Sequence, residues 1–562
     1  MKQFLLVLCA LAVILTGCSV KQDMKVKTVE QTDNNMEPTI TNTEPTETVS
    51  EDNTATDEGV NMNVADLSEF KDQTQKGVAL MKGMPMEKLY VFKGSSFTSD
   101  AEKVLVASLQ GLVSKSSGNK IYIDEGGPST VWKNYLTSEY GFPVEKEYTN
   151  AKALLADFKD YVRGYILIDM AGNANSINVA SSINGYNYAI IVDKSMETLA
   201  KDAGLSMIMD VSDKDEAWAF DNVKQYSSSD YAAELSPSVF YHLRDYISMT
   251  NQFTFYGDIN NWRRNVLKSL NPNATLFGYG KEEFDMINMA SQQGVTSIPS
   301  DMAPNLSVLS SIYPVTPILQ KAHSEKKEVE KKHYVTFVIS DGDNVAFDLW
   351  TLQNYFNDPA RGKFDVGYGI SPSIYDLAPS VLQWYYENAN TGEVKDQFIA
   401  GPSGTGYTFP SKMSSEELDS YVARQNEYME KADLGITEVL DQGAVNDMPV
   451  WSKFLNQPNI DAIFYFGYGE TTQGEINWQG DKPVIAQSNV LWEGLTEEDE
   501  LIKFLNDAKV DPTSNEGYSL ILVHCWTKSL SDVATVVNGL NDNVEVVAPE
   551  EFVQLIKDNV KH

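Results

Sequence analysis

Two aspartates separated by one glycine, Asp341-Gly342-Asp343, stand with Asn344 one residue after an apolar run at residues 334–339. Two carboxylates across a sugar-sized pocket are the minimal apparatus of glycoside hydrolysis. One, held protonated, donates to the leaving oxygen, and the other attacks the anomeric carbon or activates water. Unequal burial separates their pKa values. Asp343 or Asp341 is expected as one member of the pair and Glu470 or Asp441, each behind a later apolar run, as the other. The same string also reads as a turn in which Asn344 caps the helical run that follows. Its oxygens further suit Ca2+ or Mg2+. No cofactor is expected beyond that option.

A second group would bind substrate. Gly404-Thr405-Gly406-Tyr407-Thr408-Phe409-Pro410 follows the apolar run 397–400 and the turn-prone Gly401-Pro402-Ser403. Such a mixture of glycine, aromatic and proline builds neither a helix nor a central strand. It predicts a shaped loop that offers Tyr407 and Phe409 as an aromatic platform for the C–H face of a sugar, with Gly404 and Gly406 allowing close approach. A tight turn with two anchoring aromatics is the plainer alternative.

The elements that must position these residues are strands. Apolar runs lie at 334–339, 365–370, 397–400, 436–440, 462–467, 483–487, 519–523 and 544–547, and helical patterns separate most of them. Eight such runs predict a C-terminal (β/α) barrel, TIM-like or slightly irregular, over residues 326–562. Reactive groups sit at the C-terminal strand ends of such barrels. Reading off those ends adds Gln487, His524 and Trp526 to Asn344 and the glycine–tyrosine loop as substrate contacts. Cys525 reads as a packed strand residue. Residues 63–325 alternate strand and helix patterns less regularly and predict two or three small α/β units. The highly charged stretch His323 to Lys332 marks the boundary.

The loop Gly404 to Pro410 resembles the signature of the GxGYxYP family, with Phe409 where the family name has its second tyrosine. Ser340-Asp341-Gly342-Asp343-Asn344 resembles the acidic motif that opens that family's C-terminal domain. Arg244-Asp245-Tyr246, Phe277-Gly278-Tyr279-Gly280 and residues 301–310 resemble its N-terminal region. The resemblance spans about residues 85–558 and implies glycoside hydrolysis and a carbohydrate substrate. The layout also resembles polysaccharide deacetylases in its early acidic motif and late histidine. Their metal site needs two further histidines at close spacing, and the five histidines here, at 242, 323, 333, 524 and 562, include no such pair.

The chain opens with Lys2 and an apolar run at residues 4–15, too short to span a bilayer but suited to a secretory signal. Leu15-Thr16-Gly17-Cys18 resembles a bacterial lipoprotein cleavage site. Residues 1–17 are therefore expected as a signal peptide and Cys18 as the lipidated first residue of an exported, membrane-anchored protein facing outside the cytoplasm. Residues 18–62, rich in Thr, Glu, Asp and Asn, are expected as a disordered acidic tether. The net charge of −35 argues against nucleic acid as a partner. The expected function is a cell-surface glycoside hydrolase. The alternatives are a non-catalytic glycan-binding lipoprotein and a metal-assisted polysaccharide esterase or deacetylase.

Overall fold

The computed structural model describes residues 80–562 apart from 322, 324–327 and 468–472. All of these belong to the compact unit Val64–His562. The expected signal peptide, Cys18, the tether and Glu470 lie outside the described residues. No helix among the described residues is long and apolar enough to cross a membrane.

Three small sheets come first. β1 (Lys88–Lys93), β2 (Asn119–Asp124) and β3 (Val144–Tyr148) pair in the order β2-β1-β3. β4 (Gly164–Ile168), β5 (Ala189–Asp193) and β6 (Met207–Asp210) pair as β5-β4-β6. β7 (Tyr231–Glu234), β8 (Phe253–Phe255), β9 (Thr275–Gly278) and β10 (Thr296–Ile298) pair as β10-β9-β7-β8. Every pairing in these sheets is parallel. Parallel neighbours need a crossover, and helices such as Asp100–Ser116 and Ser176–Asn187 supply it. They also cover the sheet faces, which is why β4 and β5 are buried along their whole length.

The C-terminal half forms one large curled sheet. Its strands are β11 (His333–Ile339), β12 (Val366–Ile370), β13 (Asp396–Ala400), β14 (Ile436–Asp441), β15 (Ala462–Gly467), β16 (Ile476–Gln479), β17 (Lys482–Ala486), β18 (Asn489–Leu491), β19 (Tyr518–Val523) and β20 (Val544–Val546). The order is β16-β17-β15-β14-β13-β12-β11-β19-β18, with β20 also on β11, and only β16 runs antiparallel to its neighbour.

The fold is therefore α/β with parallel sheets and a curled half-barrel. It is not a regular eight-membered ring, for two reasons visible in the pairing. The segment 544–547, expected as the closing strand, pairs with the first residues of β11, while β19 takes Tyr334 to Ile339 along the other edge. The segment 483–487, expected as one strand, changes partner midway: β17 pairs with β15, and after Gln487 and Ser488 the chain pairs with β19 as β18.

One hydrophobic cluster runs from Leu243, Tyr246, Phe277 and Ile298 to Phe337, Tyr368, Phe398 and Trp451. The third small sheet thus shares a core with the curled sheet. That continuity packs the third small unit directly against the curled sheet.

Candidate active site

The loop after β11 is held close to backbone on both sides. A Cβ on Gly342 would stand 2.0 Å from the carbonyl carbon of Gly369, and one on Gly401 would stand 2.3 Å from that of Gly342. Only glycine allows the Asp341–Asp343 turn to lie flat across the ends of β12 and β13. Asp341 adopts φ +66°, and its carbonyl accepts from the Asn344 N–H at 3.0 Å. Asn344 Oδ1 accepts from the N–H groups of Ala346 and Phe347 at 2.9 and 3.2 Å. Asn344 therefore caps the helical turn that follows, which accounts for its oxygen without a substrate.

The two aspartates meet different surroundings. Asp343 is buried, and its carboxyl is pushed well above the usual range by burial and then by the neighbouring Asp341 charge. Asp341 is partly exposed, and its Oδ2 accepts from Trp526 Nε1. Burial raises its pKa too, opposed by the Cys525 thiol and the Trp526 N–H. Donors that favour the charged form thus gather on Asp341.

A third carboxyl lies beneath them. Glu438 sits in the middle of β14, is 0% exposed, and neither of its oxygens has a hydrogen-bond partner. Its pKa is raised well above the ordinary value by burial, then by Asp343 and Asp341. A Cβ on Gly369 would come within 3.2 Å of Glu438 Oε1, so that glycine makes room for it. Asp348 adds a fourth: Oδ2 accepts from the Ser371 N–H at 3.2 Å, Oδ1 has no partner, and burial raises its pKa strongly. An unpaired buried carboxylate costs several kcal/mol, so these groups favour their neutral form. Such perturbed clusters concentrate at functional sites.

Glu438 lies inside a strand and not behind its end, where barrel chemistry is expected. The signal was present as a lone acid inside the apolar stretch Ile436-Thr437-Glu438-Val439-Leu440. Asp441, expected with Glu470 as one of two candidates for the second catalytic carboxylate, accepts from the N–H groups of Ser411 and Gly443 at 3.2 and 2.7 Å. It ties two loops together. Burial raises its pKa, and these bonds oppose the rise.

The glycine–tyrosine loop departs from the expected platform. Tyr407 is 4% and Phe409 0% exposed, and both pack against Met286 and Ile287 of the third small unit. Their faces are not open to a sugar. Tyr407 instead exchanges both backbone hydrogen bonds with Ser297 at the middle of β10. A Cβ on Gly406 would lie 2.5 Å from Thr296 Cγ2, and one on Gly404 would lie 2.2 Å from Gln425 Cδ. The glycines serve close packing of the loop between the third unit and the helix Ser415–Lys431.

On the far side of the loop after β19, Trp526 is 46% exposed, the only expected aromatic contact with an open face. His524 is buried, its ring stacked on Trp492 at 3.6 Å, with Nδ1 2.8 Å from Thr527 Oγ1. Burial pushes its pKa down to about 4, so it is neutral at pH 7. Gln487 contributes backbone bonds to Tyr465 and Gly474 where the strand changes partner. No group of three or more His, Cys, Asp or Glu among the described residues is arranged to hold a metal ion.

The third unit contributes Glu283, the first residue of helix Glu283–Ser291. Its Oε1 accepts from Tyr407 Oη at 3.0 Å and its Oε2 from Tyr279 Oη at 2.7 Å. Its charge adds to the rise in pKa of Asp341 and Asp343.

Four family models match in succession. Residues 88–160, 162–227 and 229–311 match the first, second and third domains of GxGYxYP proteins. Residues 331–557 match the "GxGYxYP putative glycoside hydrolase C-terminal domain". A crystal structure of "a putative hydrolase from Bacteroides thetaiotaomicron VPI-5482" is similar, at 44% identity and a TM-score of 0.81, covering 85% of this chain and 96% of the other. No curated protein matches. With its loop, its acidic turn and all four domain models in order, the chain belongs to the GxGYxYP family.

Proposed function

We propose that this protein is a glycoside hydrolase in which Asp343 is the proton donor and Asp341 the ionised carboxylate. The observation that carries the reading is the unequal pair at the end of β11: Asp343 buried with Glu438 behind it, Asp341 partly exposed and bonded by Trp526. Asp343 gives its proton to the glycosidic oxygen as the C–O bond to the anomeric carbon breaks. Asp341 then either bonds to that carbon or takes the proton of the water that adds to it. Glu438, wholly buried, does not touch substrate in this scheme. Its role is to place a neutral carboxyl, and no counter-charge, behind Asp343, so that burial and the Asp341 charge hold Asp343 protonated. The exposed face of Trp526 stacks on a sugar ring.

The curled sheet would serve as the mouth of a barrel-like scaffold, with residues 326–562 carrying the chemistry and residues 63–325 walling one side. Export and anchoring through lipidated Cys18 belong to the same reading and would put the site outside the cytoplasm. Cys18→Ala is expected to move the protein from the membrane fraction to the soluble fraction.

The test is a panel of neutral oligosaccharides incubated with the full-length protein and with Asp343→Asn, products being read by mass spectrometry. Loss of the general acid is expected to lower turnover about 10²- to 10⁴-fold. A wild type that binds a glycan through Trp526 without cleaving it would instead establish the glycan-capture reading. Activity abolished by a chelator would favour the metal-assisted esterase.

A further inference from the structure

The signature loop is stapled to the third unit at every level. Ser297 and Tyr407 exchange backbone hydrogen bonds at 2.7 and 3.2 Å. The Phe409 N–H donates to Ser291 Oγ at 2.9 Å, and the Phe409 and Phe284 rings lie 5.6 Å apart. The Val345 N–H, just behind the acidic turn, donates to Pro299 O at 2.9 Å. Two tyrosines from different domains converge on one carboxylate, Glu283, which remains partly exposed. A loop built only to join domains has no need of an acid at that point, because Tyr407 and Phe409 already fill the apolar contact.

We propose that the site is shared between domains, and that Glu283 contacts the sugar and accepts hydrogen bonds from its hydroxyl groups, fixed in orientation by Tyr279 and Tyr407. This rests on the hydrolase reading above and adds to it a substrate contact from outside the C-terminal domain. Glu283 also feels the reacting pair, since its negative charge is one of the influences that raise the pKa of both Asp341 and Asp343. The domain models place residue 283 in the third domain and the acidic turn in the C-terminal one. The N-terminal units would thus set which sugar is accepted.

The experiment compares the full-length wild type, Glu283→Gln and Tyr407→Phe on the neutral oligosaccharide that the wild type cleaves best. It reads kcat and KM separately, the pH profile of kcat/KM, and the melting temperature. Glu283→Gln keeps the shape and is expected to lower kcat/KM about 10- to 100-fold, the loss of a hydrogen bond to a charged group, mostly through KM. Both limbs of the pH profile should move to lower pH, because a charge that raises Asp341 and Asp343 is gone. Tyr407→Phe should show a smaller change of the same kind. Unchanged kcat, KM and pH limbs in Glu283→Gln, or a lower melting temperature with unchanged KM and pH limbs, would overturn this inference while leaving the hydrolase intact. A wild type that neither binds nor cleaves any member of the panel would overturn both.

Discussion

Two regions of this molecule bury charge in opposite ways. In the third unit Glu234 and Arg263 are both fully buried and joined by three hydrogen bonds of 2.7 to 3.2 Å. The loop Gly278-Tyr279-Gly280 wraps them, and a Cβ on Gly280 would stand 2.4 Å from the Glu234 carboxyl carbon. Nearby Arg244 is equally buried and donates to Val239 O, Ser181 Oγ, Asn178 Oδ1 and Ser236 O. At the end of the curled sheet, Glu438 has no partner for either oxygen and Asp348 none for Oδ1. Among the described residues, no Arg or Lys is one of the largest influences on the pKa of Asp341, Asp343 or Glu438. Burial raises the pKa of Glu234 as well, but there Arg263 opposes the rise, whereas behind the acidic turn only further carboxylates act on Glu438 and the unmatched charge costs stability. A fold retains that cost where a protonated carboxyl at neutral pH is of use.

The sharpest way to break the comparison is to remove charge on each side. Asp343→Asn is expected to cost the most in turnover, at the upper end of the 10²- to 10⁴-fold range, with little change in the unfolding midpoint. Arg263→Ala should do the reverse. It strands a buried carboxylate, and about 3–5 kcal/mol of stability should go in denaturant unfolding. Any remaining folded protein should keep its kcat. If Arg263→Ala were tolerated without loss, the distinction between matched and unmatched burial would fail.

Glu438→Gln sharpens the contrast, because it removes a group that the folded state holds at a raised pKa. Such a group contributes stability that is present below its unfolded value of about 4.3 and is lost as pH rises through the folded value. The wild type should therefore lose stability as pH rises above about 4.3 towards the raised folded value, and Glu438→Gln should flatten that slope. An unchanged or steeper stability slope would remove Glu438 from the scheme. The smallest effect is expected at Trp526→Phe, which keeps an apolar ring and deletes the N–H on Asp341. A loss of about 0.5–1.5 kcal/mol in transition-state stabilisation is expected, read as kcat at constant KM.

The strands of the C-terminal half were legible as apolar runs. Residues 334–339, 365–370, 436–440, 462–467 and 519–523 appear as β11, β12, β14, β15 and β19, because parallel strands buried on both faces must be apolar throughout. Asp341 and Asp343 were legible for a related reason: a charged pair around a glycine cannot continue such a strand and has to turn at its end. The capping role of Asn344 followed from the same local rule.

What the local pattern could not carry was who faces whom. Tyr407 and Phe409 read equally as a platform or as anchors, and burial against Met286 and Ile287, more than a hundred positions earlier, decided for anchors. Asp441 stands behind a strand just as Asp341 does, yet two backbone N–H groups claim it. Neither Glu438 nor Glu283 lies where a strand ends, so residue type and short spacing do not single them out. The sequence by itself determined the family, the alternation of strands and helices and the position of the acidic turn, since these depend on residue type and short spacing. The tertiary structure alone decided the partner change at Gln487, the place of β20 on β11, and the gathering of Asp341, Asp343, Glu438 and Glu283. Hydrogen-bond partners and electrostatic neighbours far apart in the chain are set by how whole elements pack, a property that no single stretch of residues contains.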